Sequence, residues 1–153
     1  MAFVRIDNRL VHGQIIETWL PFTLARRIVV VNDALAADPL RQEIMSLAIP
    51  AGVDIVFLAV AALAGYCNHA PLDIGEALIL FSNCRDAQAA YEHGFDFANL
   101  NLGNLHYAPG KRQVCPHVAL SQEDESCLDF FRDKGVRLDY RCVPGDPAQP
   151  RSV

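Results

Sequence analysis

Four short runs rich in apolar and β-branched residues punctuate the first half of the chain: Phe3-Val4-Arg5-Ile6, Arg27-Ile28-Val29-Val30-Val31, Val53-Asp54-Ile55-Val56-Phe57-Leu58 and Ala77-Leu78-Ile79-Leu80-Phe81. Helix-like stretches lie between and after them, at Gly13 to Leu20, Pro39 to Ala48, Ala59 to Tyr66 and Arg85 to His93. Strand and helix therefore alternate, which is the pattern of a parallel α/β sheet. The runs are almost continuously apolar, so each strand is expected to bury both of its faces. The predicted fold is α/β: a single-domain open, mostly parallel sheet with helices on both faces, formed by residues 1–145 and followed by a flexible tail at 146–153.

Several boundaries follow from local chemistry. Asp33 or Asp38 can cap the helix that Pro39 opens at its first turn, and Pro50-Ala51-Gly52 ends it. Gly94 closes the helix begun at Arg85. Ser121-Gln122-Glu123-Asp124 has the form of a capping box and opens an amphipathic helix through Leu128, Phe131 and Arg132 to Gly135. A last strand is expected from Val136 to Val143. Between Phe97 and Leu120, Asn99, Asn101, Asn104, Pro109 and Gly110 mark turns, predicting a strand, a loop and another strand. The stretch from Pro144 to Val153 lacks apolar content and should be loosely held.

With 153 residues, 52% of them hydrophobic, the chain can bury roughly 70% of its unfolded surface without disulfide or metal staples. Thirteen basic against 18 acidic residues give a net charge of −5, which argues against a nucleic-acid-binding face. The start, MAFVRIDNRLVHG, carries charges where a secretory signal needs an apolar core, and no apolar stretch reaches about 18 residues, so a cytoplasmic protein is expected. Cys67, Cys84, Cys115, Cys127 and Cys142 are odd in number and include no C-x-x-C pair, and they read as reduced, mostly buried thiols. Cys115-Pro116-His117 is the nearest approach to a ligand pair, but no spacing signals its further partners, so no metal and no other cofactor is expected.

Chemistry concentrates in Arg5-Ile6-Asp7-Asn8-Arg9-Leu10-Val11-His12-Gly13-Gln14, which leaves the first strand and enters the first helix. In open α/β sheets ligands bind at the carboxyl ends of strands, and the opening N–H groups of a helix suit a phosphate. Arg5 and Arg9 can offer forked donors to one anion. His12 is then a phosphate ligand, a general base, or a nucleophile whose ring nitrogen takes a phosphoryl group. Asp7 is near enough to fix the ring tautomer, leaving the other nitrogen free to attack. Against this stands a plainer reading, in which His12 only caps a helix and the arginines solvate a face.

The run RIDNRLVHGQ meets every fixed position of the pattern R-[IV]-D-x-R-x-x-H-G-Q and resembles the signature of the IIB component of the mannose/fructose/sorbose family of the bacterial phosphoenolpyruvate-dependent sugar phosphotransferase system (PTS). Val31-Asn32-Asp33, Pro50-Ala51-Gly52-Val53, Leu100-Asn101-Leu102-Gly103 and Val143-Pro144 fall in that family's order, so the resemblance covers about residues 2 to 145. It implies that His12 is the phosphoacceptor, that Arg5 and Arg9 stabilise the phosphate, and that Asp7, Gly13 and Gln14 shape and line the phosphate loop. It also implies partners: a IIA component as donor, the membrane components IIC and IID, and a sugar as final acceptor, with the chain peripheral to the inner membrane face. A homodimer is an open expectation. Asn8 and Asn104 depart from the family pattern, where aspartate and a second glycine are common, and put the shape of the loop near Asn101 to Leu105 in question.

Two other functions remain open beside this one. The first is a regulatory phosphohistidine protein that signals sugar flux. The second is a phosphate-metabolite-binding domain, disfavoured by the lack of a Gly-rich loop. Among the remaining residues, Arg26 and Arg27 read as a solvated strand end, and Trp19 and Phe22 as core. His106-Tyr107 could line a docking face, while His69, His93 and His117 read as structural.

Overall fold

A computed structural model describes residues 2–69 and 76–147. Its strands are β1 (Phe3–Ile6), β2 (Arg27–Val31), β3 (Asp54–Leu58), β4 (Ala77–Phe81), β5 (Asn99–Leu102), β6 (Arg112–Cys115), β7 (Val118–Leu120) and β8 (Arg137–Asp139). Six form an open sheet in the order β3-β2-β4-β1-β5-β8, with every neighbouring pair parallel. β6 and β7 make a separate antiparallel pair. The helices are a π-helical segment (Ile15–Trp19) that runs directly into α1 (Leu20–Thr23), then α2 (Asp33–Ala36), α3 (Pro39–Ser46), a 3-10 turn (Val60–Ala62), α4 (Leu63–His69), α5 (Cys84–Glu92) and α6 (Gln122–Asp133).

The period of two along each strand divides the core. Val4, Ile6, Val29, Val31, Ile79, Phe81, Leu100 and Leu102 share one face with Leu63 of α4, Ala87 and Ala90 of α5, and Leu128 and Phe131 of α6. Ile28, Val30, Leu78 and Leu80 point the other way, onto Ile15, Trp19, Leu20 and Leu35. The expected open α/β sheet with helices on both faces is therefore what forms. Burial of both faces explains why the central strand β4 is apolar at all five positions.

Strands β1, β2 and β4 have the expected bounds, and β3 begins one residue later than expected, at Asp54. Asp38, not Asp33, caps α3, accepting from the Arg41 N–H, while Asp33 accepts from the N–H of Val60 across the sheet edge. Asn32 caps α2. α3 ends at Ser46, before Ala48, and the first helical stretch runs past Leu20 to Thr23. Gly94 takes φ +107 and bonds the Tyr91 carbonyl, closing α5. Phe22 is half exposed, stacking edge-on against buried Trp19, and so is not a core residue.

Two expectations need larger corrections. Asn99 and Asn101 do not mark turns; they lie in β5, where Asn-Leu-Asn-Leu alternates with the pleat and sends Leu100 and Leu102 to the core. The last strand stops at Asp139 instead of Val143, because the Arg141 and Cys142 carbonyls turn inward to accept hydrogen bonds from Arg5. Asp146 holds that turn by accepting from the N–H groups of Cys142 and Val143, so the first part of the expected loose tail is tied down. Residues 148–153, the rest of it, lie outside the described residues.

At the start of α6, Ser121 accepts from the Asp124 N–H and Asp124 accepts from the Ser121 N–H, which completes the capping box. Ser121→Ala is expected to lower the free energy of unfolding by about 1 kcal/mol, read as a lower urea midpoint at unchanged m-value.

Candidate functional site

β1 and β5 are neighbours, and the chain leaves β1 toward β2 on one side and leaves β5 toward β8 on the other. Their carboxyl ends therefore frame a topological switch point, the crevice where open α/β sheets place ligands. Asn8, just after β1, spans it: its amide donates to the Ser82 carbonyl beyond β4, and its side-chain oxygen accepts from the N–H of His106 beyond β5. Asn8 thus clamps three loops together.

Beneath this rim lies a buried ion pair. Arg5 points from β1 away from the Val4 and Ile6 side and is fully buried, as is Asp7. Arg5 Nε and Nη2 donate to Asp7 Oδ2 at 3.3 and 3.0 Å. Nη1 donates to Asn101 Oδ1 at 2.5 Å and to the Arg141 carbonyl, and Nη2 also reaches Gln14 Oε1 and the Cys142 carbonyl. The guanidinium lies 5.0 Å from the centre of the Trp19 ring, whose Nε1 donates to the same Cys142 carbonyl at 2.8 Å. Every edge of Arg5 is therefore occupied by protein acceptors. Arg5, expected to meet a phosphate, is here sealed under the loop, and its guanidinium touches the loop at Asp7 and Gln14.

Asp7 is the hub. Its Oδ1 accepts from the Arg9 N–H, and its Oδ2 accepts from Arg5, from Asn104 Nδ2 at 2.9 Å and from His12 Nε2 at 2.9 Å. Burial by itself would raise the Asp7 pKa, but the hydrogen bonds from His12 and Asn104, the Arg5 charge and the Arg9 N–H together outweigh it and hold the carboxyl at about 2. It is ionised at any working pH and can only accept. His12 Nε2 must therefore carry a proton, and in the neutral ring Nδ1 keeps the lone pair.

The backbone delivers His12 to this carboxylate through a tight turn. The Leu10 N–H bonds the Asp7 carbonyl, and Leu10 itself takes φ +55, a left-handed conformation held in place by burial of its side chain. Only 12% of the His12 side chain is exposed. The ring is thus mostly covered and not held out into solvent. The His12 carbonyl accepts the first N–H groups of the π-helical segment, from Ile15 and Ile16, so Gly13 and Gln14 open that helix beside the ring. Arg9 is exposed, leaving its guanidinium outside the buried network, while Gln14 is turned inward onto Arg5 and Asn104.

The structure thus brings together Asp7, His12, Arg9, Gly13 and Gln14 at one strand end, with Arg5 below them. Sequence reasoning missed Asn101, Asn104 and the inward carbonyls of Arg141 and Cys142. Asn101 had a readable signal, since a polar residue between two leucines of a strand must point at something polar. The carbonyls had none. Arg26 and Arg27 lie at the far, amino-terminal end of the sheet; Arg26 pairs with Glu76, and Arg27 reaches the Tyr66 hydroxyl and Asp54. The cysteines are unpaired, and burial pushes the Cys84, Cys67 and Cys127 thiols up, away from thiolate chemistry. Among the described residues no cluster of His, Cys, Asp and Glu is arranged to hold a metal, and no helix is long and apolar enough to cross a membrane.

Comparison with known proteins bears on the same chain. The family described as "PTS system sorbose subfamily IIB component" matches residues 1–152. A fructose-specific EIIB component of the PTS from Bacillus subtilis is 31% identical over 150 residues, covering 97% of this chain and 91% of that protein. The mannose-specific EIIAB component of Escherichia coli is 32% identical over 148 residues, covering 96% of this chain but 46% of the relative. The crystal structure of an N-acetylgalactosamine-specific IIB component 1 from Escherichia coli superposes with a TM-score of 0.92 at 30% identity, covering 99% of this chain and all of that one.

Two outcomes follow from the geometry. A Cβ on residue 103 would lie 2.1 Å from Arg5 Nη2, so Gly103→Ala should cost about 3 kcal/mol of stability, measured by chemical denaturation. A carboxyl at about 2 when folded, below its ordinary value, adds stability that is present above about pH 4 and is lost as the pH falls through 2. The unfolding free energy should drop by about 2 kcal/mol on this account in an acid titration. Asp7→Asn, less stable at neutral pH, should lack that component of the acid slope.

Proposed function

Because the chain belongs to the sorbose-subfamily IIB components of the PTS, we propose that it carries a phosphoryl group on His12 Nδ1, taken from a IIA component and passed to a sugar held by the membrane components IIC and IID. One observation carries the reading: Nε2 is anchored on the ionised Asp7 at 2.9 Å, which leaves Nδ1 as the nucleophilic nitrogen. A donor phosphohistidine docks at the crevice, and the Nδ1 lone pair forms a bond to phosphorus in line with the donor's breaking P–N bond. The electron pair of that bond returns to the donor ring, and the Nε2 proton stays where Asp7 holds it.

On discharge the sugar hydroxyl oxygen attacks phosphorus, the P–N electron pair returns to Nδ1, and the hydroxyl proton leaves to a base on the acceptor side. Such transfers depend on positioning and charge stabilisation, and no cofactor is required. Exposed Arg9 is the arginine able to meet the phosphoryl oxygens, aided by the N–H groups of Gly13 and Gln14 at the helix start. Arg5 serves by holding Asp7. The mannose-specific EIIAB relative supports a IIA donor, since its name joins the two components in one protein of which this chain matches under half. The relatives' names cite fructose, mannose and N-acetylgalactosamine, so the sugar itself is left open. The chain then works in the cytoplasm, at the inner face of the membrane.

Intact-mass spectrometry at neutral to alkaline pH, after incubation with phosphoenolpyruvate, the general PTS proteins and a IIA component, tests this. The expected result is an acid-labile gain of about 80 Da, one phosphate, that is absent from His12→Ala. A gain that survives in His12→Ala would move the acceptor to another side chain. No gain with an active donor would favour plain anion binding.

A further inference from the structure

Asp7 Oδ2 is crowded. Arg5 Nε and Nη2, His12 Nε2 and Asn104 Nδ2 all lie within 3.3 Å of this single oxygen, while among the described residues Oδ1 accepts only the Arg9 N–H. An ionised carboxylate offers about two lone-pair sites on each oxygen. The donors on Oδ2 therefore compete, and each one weakens what the others receive. Arg5 is needed there to neutralise the charge, and His12 is the group that reacts. Asn104 is the neutral third partner, and like the other two it stabilises the buried charge of Asp7.

Its placement is closely specified. Asn104 is almost fully buried, and its Nδ2 donates at once to Asp7 Oδ2 and to Gln14 Oε1 at 3.0 Å. Gln14 Oε1 also accepts from Arg5 Nη2, which fixes which end of the Gln14 amide faces Asn104. That in turn fixes the Asn104 amide with its N–H groups toward the carboxylate. The Cys142 thiol sits behind both amides, within reach of Gln14 and Asn104 Oδ1. The backbone carbonyl of Asn104 accepts the Asn8 N–H at 2.8 Å, tying the same residue to the His12 loop.

We propose that Asn104 is a positioning residue for phosphoryl transfer, which sets the strength of the Asp7–His12 hydrogen bond by competing with His12 for the same carboxylate oxygen. This rests on His12 as the phosphoryl carrier and adds a control on it. A carboxylate that accepts strongly from Nε2–H enriches the ring in electrons and makes Nδ1 a tighter phosphoryl acceptor. Drawing part of that carboxylate's capacity away keeps the ring less basic, so that the group it takes from a donor can be passed on. The balance of the transfer is unchanged: Nδ1 gains and loses the phosphoryl group, and the proton stays on Nε2. The charged and titratable groups of this network are Asp7, Arg5, Arg9 and Cys142; a change at residue 104 removes one donor from Asp7 Oδ2 and the contact with the Cys142 thiol, and leaves the Arg5 and Arg9 bonds to Asp7 in place.

The test uses the full chain with Asn104→Ala and Asn104→Gly, with 15N NMR of the His12 ring followed against pH in the unphosphorylated protein. Removing the competing donor should move the His12 titration midpoint up by about half a pH unit in both variants. The phosphoryl equilibrium with phosphorylated IIA, read by intact mass, should move several-fold toward the His12 form. A folded variant with an unmoved midpoint overturns the proposal. So does failure of both variants to fold, which would make Asn104 purely structural. If the midpoint moves but the unaltered chain takes no phosphoryl group, the carrier reading fails while the control of the ring by Asn104 stands.

Discussion

A guanidinium and a carboxylate with no access to water dictate much of what surrounds them. Removing both charges from solvent costs several kcal/mol for each ion, and the cost is offset only if the pair is close and the remaining donors find acceptors. Arg5 and Asp7 meet that condition by drawing in distant parts of the chain. Asn101 comes from β5, Gln14 from the start of the first helix, and two carbonyls from the turn after β8. Gly103 is glycine because the guanidinium occupies the space a side chain would need. β8 is short because its continuation must turn inward, and Trp19 is buried because its ring lies against the cation.

The same pair gives the loop its electrostatic character. Asp7 stays ionised in a site that would otherwise favour its neutral form, since four groups stabilise the charge against burial. A fixed charge at a fixed place determines which nitrogen of a neutral His12 ring carries the proton. The hydrogen-bonded network lies below the surface, and exposed Arg9 lies outside it.

Position in the sheet supplies the remaining requirement. β1 lies between β4 and β5, so the loop after it is flanked by Ser82 on one side and by Asn104 and His106 on the other. The chain diverges there, at the kind of crevice where open α/β sheets place ligands. The architecture is shared at a TM-score of 0.92 with a IIB component only 30% identical in sequence, as expected if sheet order and the strand-end site matter more than most surface residues.

Much of this was legible in the residues. Continuous apolar runs placed β1, β2 and β4, the capping box placed α6, and the ten residues from Arg5 to Gln14 located the candidate site and the family, because strand burial, capping and a contiguous motif are all local in sequence. What could not be read was which charges face outward. Arg5 and Arg9 look equivalent four residues apart, yet one is sealed under the sheet edge and the other lies in solvent. That difference is set by Asn101, Asn104, Arg141 and Cys142, about a hundred residues or more away, whose polar atoms reach Arg5 and Asp7 only once β5 and β8 have paired beside β1. Sequence determined the elements and the reactive loop; the tertiary structure decided the partners of each charge, because a buried hydrogen-bond network is satisfied in space and leaves no periodic mark along the chain.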